Sequence, residues 1–530
     1  EFQSFANFAV RLKNDEECEA QSTDLFAGVE LANAEQTLRL ASLSIGDRLP
    51  REDEIERVRQ GGFVELDIIL DEMMTEEPFI EFVKRTFAEP FQTDFYLNND
   101  AVGLLADYYP NATWYDNDAS ARAMIQQYGL RDADEIARMT QQALAREPLE
   151  LVAHVARNDL PFTEIVTADY FMVSPLSART YGVEAEFQRG NDPMEFAPAY
   201  LDYEDQAYPH AGVLTSPIFL NRWPSTPTNR NRARARVAFL FFLGTDILSI
   251  TSARVDDGET TANPTRDDAQ CVICHAKLDP VAGTFQAFSD DGQFIAEPEW
   301  FAEMFPPGFG GLDMPPSQAA NGLPWLAANI ARDERFLSAT VYHIYKGLMG
   351  REHLSAPTDR NDPEFDAKFK AFVDQSNQFR IYTERFKAAN YNVKQVVKDI
   401  IMSPYYRALN AYNVGDERLA AMRELGLGRL LTPEMLDARL QAVFGIPWGD
   451  FDGDTGNRTI DNFLTGSVRD LGDVGRYELF YGGLDFNDVT ERITNPNGLM
   501  AAVAERTATE MSCASVPYDL SLPGEERRLF

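Results

Sequence analysis

Cysteine is scarce in this chain, with four in 530 residues, so a disulfide scaffold is excluded. Basic residues are the minority: 48 against 84 acidic ones, for a formal charge of −36. A field of that sign repels nucleic acid and anionic membranes and argues against both as partners. It suits solubility in salty surroundings, or docking to a basic protein partner. The strongest apolar run, Val237 to Leu243, falls far short of the roughly 20 residues that span a bilayer. No Walker loop, dinucleotide fingerprint, Gly-x-Ser-x-Gly elbow or zincin motif is present. Histidine numbers only five.

The rest of the composition supports buried cores, with 44% hydrophobic and 12% aromatic residues. A chain this long is expected to form three or four domain-sized units. Apolar residues recur at three- and four-residue steps over 25–45 and 52–88. Further helices are expected at 119–128, 132–145, 148–157, 232–248, 335–349, 364–389, 392–402, 416–424 and 432–444. Few stretches alternate as strands, so the expected class is mainly α, a multi-domain helical protein. Ser174, Ser216 and Ser403 each precede proline and read as tight helix joints, serine capping and proline opening the next helix. Polar or proline-bearing stretches suggest a helical domain over 1–130, a second with a basic helix over 131–250, a segment over 251–355, a helical domain over 356–412 and a helix-plus-loop region over 413–530.

The decisive motif lies in the third of these. Cys271-Val272-Ile273-Cys274-His275 is C-x-x-C-H, the signal for covalent c-type haem. Two intervening residues bring both thiols to one side of a helical turn, where each can add to a haem vinyl group. His275 follows as the proximal iron ligand. Zinc would need a second ligand pair, and there is none. A thioredoxin-like site would need a strand–helix setting, whereas residues 276–280 read as a turn.

The surrounding residues, Cys271 to Phe294, resemble the cytochrome segment of the large planctomycete-type cytochrome c proteins. That family follows its haem motif with a similar Asp-Pro, Gly, Phe and Asp-x-x-Gly run; here the last element is Ser-Asp-Asp-Gly, one residue tighter. Gly212-Val213-Leu214-Thr215 and Arg230-Asn231-Arg232-Ala233-Arg234 resemble patterns that precede the family's haem motif. Gly347 to Glu352, Ile401 to Arg407 and Leu430 to Glu434 resemble its later segments. The likeness covers about two thirds of the chain and is densest from about 161 to 410. It implies an exported haem protein of several helical domains, with a cytochrome c-like segment at 251–355, and says little about substrate. The basic segment before the motif makes Arg232 and Arg236, on one helix face, candidate partners for the haem propionates.

The sixth iron ligand separates an electron wire from an enzyme. Met314, in Gly-Leu-Asp-Met-Pro-Pro, is similar to the pre-proline distal methionine of small c-type cytochromes and is the first candidate. Met304 is the second, and His210 the third. Trp300, Trp325, Phe285, Phe288 and Phe309 are the expected apolar wall. Asp450 to Asn457 carries alternating carboxylates, a weak calcium signal without the glycine and glutamate of an EF-hand. Cys18 and Cys513 either bridge the chain ends or remain free thiols.

The leading expectation is an exported monohaem c-type cytochrome that transfers electrons, periplasmic or on the cell surface, its signal removed by processing. A haem-dependent oxidoreductase or peroxidase-like enzyme with an open sixth site is the alternative. A surface or assembly protein stapled by its haem is a third. An electron carrier needs only about 100 residues, so the remaining length implies an added role, such as partner docking or higher-order assembly.

Overall fold

The computed structural model describes residues 25–97, 99–105, 109, 111–203, 206–250, 263–425, 428–444, 479–527 and 529. Cys18 and the acidic run 450–457 lie outside them, and with them the bridge and the calcium reading.

The described chain is mainly helical. Its principal helices are α1 (Ala34–Ile45), α2 (Glu52–Met73), α3 (Glu77–Phe91), α4 (Asp118–Tyr128), α5 (Ala133–Arg157), α6 (Pro217–Arg222), α7 (Arg232–Val237), α8 (Ala269–Thr284), α9 (Gly322–Ile330), α10 (Glu334–Met349), α11 (Phe365–Ala388), α12 (Val393–Met402), α13 (Asp416–Leu425), α14 (Pro433–Phe444) and α15 (Gly498–Ser521). Among the described residues, strands occur only as short antiparallel pairs, such as Phe171–Val173 with Ala197–Ala199. Among the described residues, no helix is long and apolar enough to cross a membrane.

Local chemistry sets these boundaries. Asn33 caps α1 by accepting from Gln36 N while the Gln36 side chain returns to Asn33 N, a reciprocal box. The helix expected over 25–45 therefore begins at 34, and Glu30–Leu31 pairs instead with Ala408–Asn410. Asp132, Asp268, Asp333, Asn392 and Asn497 cap α5, α8, α10, α12 and α15 in the same acceptor role. Ser216 caps α6 ahead of Pro217.

Two expected helices fuse into α5, which runs through Pro148. Burial of Leu144, Leu149, Leu151 and Val152 on either side outweighs the backbone bond that proline removes. The helix expected over 232–248 instead changes to a π turn at Ala238–Phe242 and ends at Gly244, which takes φ +57°. The turn expected at 276–280 is helix: α8 passes through it, Pro280 included. Proline cannot bond back to the carbonyl of residue 276, but Leu278, Val281 and Ala282 are buried and hold the turn in place.

One apolar cluster draws on residues from Leu25 to Met435. It includes Leu38 and Phe79 from α1 and α3, Val152 from α5, Phe285 beyond α8, Ile344 from α10 and Phe386 from α11. The helix that carries the C-x-x-C-H motif is packed into this shared core by its C-terminal half. Gly283 meets Pro307 so closely that a Cβ there would lie 2.7 Å from the proline ring.

Candidate functional site

The motif occupies the first two turns of α8. Asp268 Oδ1 accepts from the N–H groups of Gln270 and Cys271, at 2.8 and 3.1 Å, which fixes the first turn. Cys271, Cys274 and His275 are half-buried, and Ile273 between them is exposed. The two thiols are free and stand on one helical turn. Cys274 Sγ lies 3.6 Å from the Ile247 carbonyl. Burial, with Asp268 close by, pushes the Cys271 thiol up from its ordinary pKa. That is the reverse of a redox or metal-thiolate cysteine, which needs a depressed one. Among the described residues, no cluster of three or more His, Cys, Asp or Glu side chains could cage an ion, so the zinc alternative gains no further ligand.

His275 is oriented by a residue one turn away. Its Nδ1 lies 2.9 Å from Asp279 Oδ1. Asp279 is fully buried and also accepts from Arg232, Nε to Oδ1 at 2.8 Å and Nη2 to Oδ2 at 3.2 Å. Burial would push the Asp279 carboxyl up, but the hydrogen bonds from His275 and Arg232 outweigh it and hold it below the usual carboxylate range. An ionised carboxylate only accepts, so His275 must donate from Nδ1. In the neutral imidazole Nε2 then carries the lone pair, which is the nitrogen a metal takes. The residues present therefore fit a covalently held haem: two accessible thiols, and a histidine with its tautomer fixed.

The other candidates fall into place around this turn. Arg232 is committed to Asp279, and Arg236 pairs with Asp246, Nη2 to Oδ2 at 2.7 Å. Both guanidinium groups thus face carboxylates of the chain itself. Arg234, between them, is fully buried, and its guanidinium donates to the carbonyls of Trp223, Leu220, Ser289 and Asp290. Met304 and Met314 are both buried. Met304 follows Glu303, whose carbonyl accepts from Asn263 and whose carboxylate pairs with Arg230. Met314 donates its N–H to Pro307, the residue seated on Gly283. His210 Nε2 accepts from Leu201 N at 3.1 Å, and the ring packs edge-on to Phe171, so that lone pair is already engaged. Phe285, Phe288 and Phe309 are buried, and Trp300 and Trp325 pack against the main cluster from its edge.

Asp279 as the partner of His275 is the functional residue a turn at 276–280 conceals. Its signal is the i, i+4 spacing, visible once that stretch is helix.

No family model matches the chain, and no curated protein or solved structure matches it.

Proposed function

We propose that this protein is an exported monohaem c-type cytochrome, of the planctomycete-type family its motif segment resembles, and that it transfers electrons at the periplasmic or outer cell surface. The observation that carries the reading is the first half of α8: two free thiols and a histidine on adjacent turns, the histidine fixed by Asp279 with Nε2 left to ligate. Cys271 and Cys274 would hold the haem as thioethers, each S–H adding across one vinyl group with no net change in oxidation state. The haem supplies one-electron chemistry at its iron.

The chain's own residues supply the rest. Cys271 and Cys274 anchor, His275 ligates, and Asp279 with Arg232 keeps the imidazole from rotating. Met304 and Met314, buried in the segment that follows α8, are the thioethers that would be candidates for a further iron ligand. The acidic surface suits a basic redox protein as donor or acceptor.

A second reading, a peroxidase-like enzyme with an open sixth site, is favoured by the same Asp279. A full carboxylate on Nδ1 makes the imidazole a stronger donor than a backbone carbonyl would. Visible spectra of the oxidised and reduced protein, with and without carbon monoxide, test both. A c-type spectrum unmoved by carbon monoxide supports the electron carrier, and rapid carbon monoxide binding moves the enzyme ahead. Absence of covalent haem after co-expression with a haem-attachment system overturns both.

A further inference from the structure

A cleft of about 620 Å³ lies apart from the motif, between α3, α7, α10 and the segment 481–494. Its size is that of small-molecule sites. Basic side chains gather on its wall in a chain that is otherwise strongly acidic, and nearly all are neutralised locally. Arg236 faces Asp246, Lys346 faces Glu89 and Glu352, and Arg492 faces Glu434.

Arg222 is different. It is half-buried, and its bonds go only to neutral acceptors: Nε to Gln92 O at 3.2 Å, and Nη2 to Gln92 Oε1 at 2.8 Å and Phe486 O at 3.0 Å. Among the described residues no carboxylate pairs with it and Nη1 has no partner. The guanidinium is held rigid, stacked over Phe95 at 4.8 Å and Trp223 at 5.1 Å. A fixed cation with no carboxylate partner among the described residues thus lines the cleft, and a desolvated cation of this kind attracts an anion.

The remainder of the wall restricts which anion. Phe82, Leu240, Phe241, Tyr342 and Ile493 make it substantially apolar. Glu89, Glu352, Glu434 and Glu491 also line it, and would repel a multiply charged group such as phosphate.

We propose that the cleft binds a small monocarboxylate with an apolar body, its carboxylate on the Arg222 guanidinium. This site is independent of the haem reading, since none of Cys271, Cys274 and His275 lines the cleft. Calorimetric titration of the full-length protein with 4-phenylbutyrate, and with 4-phenylbutyramide as its neutral counterpart, tests it. The acid is expected to bind about tenfold or more tightly than the amide, the scale of one charge-assisted contact. R222Q should level the two, and R222K, which keeps the charge, should retain part of the preference. If R222Q does not fold, the acid-to-amide ratio of the native protein and its partial fall in R222K carry the same test. No binding of phenylbutyrate, equal affinity for acid and amide, or an acid preference that survives R222Q overturns the proposal.

Discussion

Asp279 stands one helical turn after His275, with its Oδ1 2.9 Å from the imidazole Nδ1, and the same carboxylate is gripped by Arg232 through two bonds. One buried anion therefore serves two cations or dipoles from different helices. Loss of its charge should be felt both in the fold and at the histidine.

D279A is expected to lower stability by about 2–4 kcal/mol, because it leaves Arg232 partly buried beside an empty acceptor position. Urea titration measures this. In haem-loaded protein, D279N should raise the reduction potential, since an amide oxygen is a weaker acceptor for Nδ1 than a carboxylate. A potential unchanged from wild type, in a variant that retains its haem, would show that Asp279 acts on packing alone.

Arg234 makes a second test of packing. It is 1% exposed, and its guanidinium satisfies carbonyls on two sides. R234M should cost on the order of 4 kcal/mol, because several buried carbonyls lose their donor at once. R234K retains the charge but cannot present the same fork, so it should recover only a fraction. Equal denaturation midpoints for R234M and wild type would contradict the clamp.

Glu147 sits buried in α5 and accepts from the Tyr181 hydroxyl at 2.8 Å. Burial pushes its carboxyl up to about 8. The folded state then holds a proton that the unfolded state releases near pH 4.5. Stability is unaffected below about pH 4.5 and falls as pH rises towards 8, by at most about 1.4 kcal/mol per pH unit. E147Q should flatten the stability–pH curve over that window, and thermal melts in a buffer series would show it.

Glu434 has the opposite sign. Burial alone would raise its carboxyl, but the Arg492 guanidinium, at 2.8 and 2.9 Å, outweighs burial and brings it to about 2. Its contribution, on the order of 3 kcal/mol, is present above about pH 4.5 and lost as pH falls towards 2. E434Q should therefore be less stable than wild type at neutral pH, with the difference shrinking in acid. A constant difference across that range would assign the loss to packing.

Much of the helical layout was legible in periodicity and capping residues: α4, α10, α11 and α12 lie within a residue or so of where three- and four-residue spacing puts them. Two of the misreadings share one cause. At Pro148 and Pro280 a local breaker signal suggested an end, and tertiary burial of the flanking residues carried the helix through. The second of these hid Asp279, because a turn at 276–280 gives no reason to pair position 279 with position 275. The motif itself needed no structure, since its three reactive residues are contiguous. The cleft on Arg222 was not legible, because Gln92, Phe486 and Arg222 are far apart in sequence and meet only through folding.

Arg234 also bears on how far the motif-bearing stretch can be treated as a cassette. Its guanidinium joins Leu220 and Trp223, ahead of the motif, to Ser289 and Asp290, behind it. A fragment cut at residue 251 would take the second set of carbonyls without their donor, and the remainder would keep a buried guanidinium stripped of its bonds to Ser289 and Asp290. Neither piece is chemically complete. Grafting α8 and its following loop onto another scaffold would require the arginine and its upstream carbonyls to travel with them.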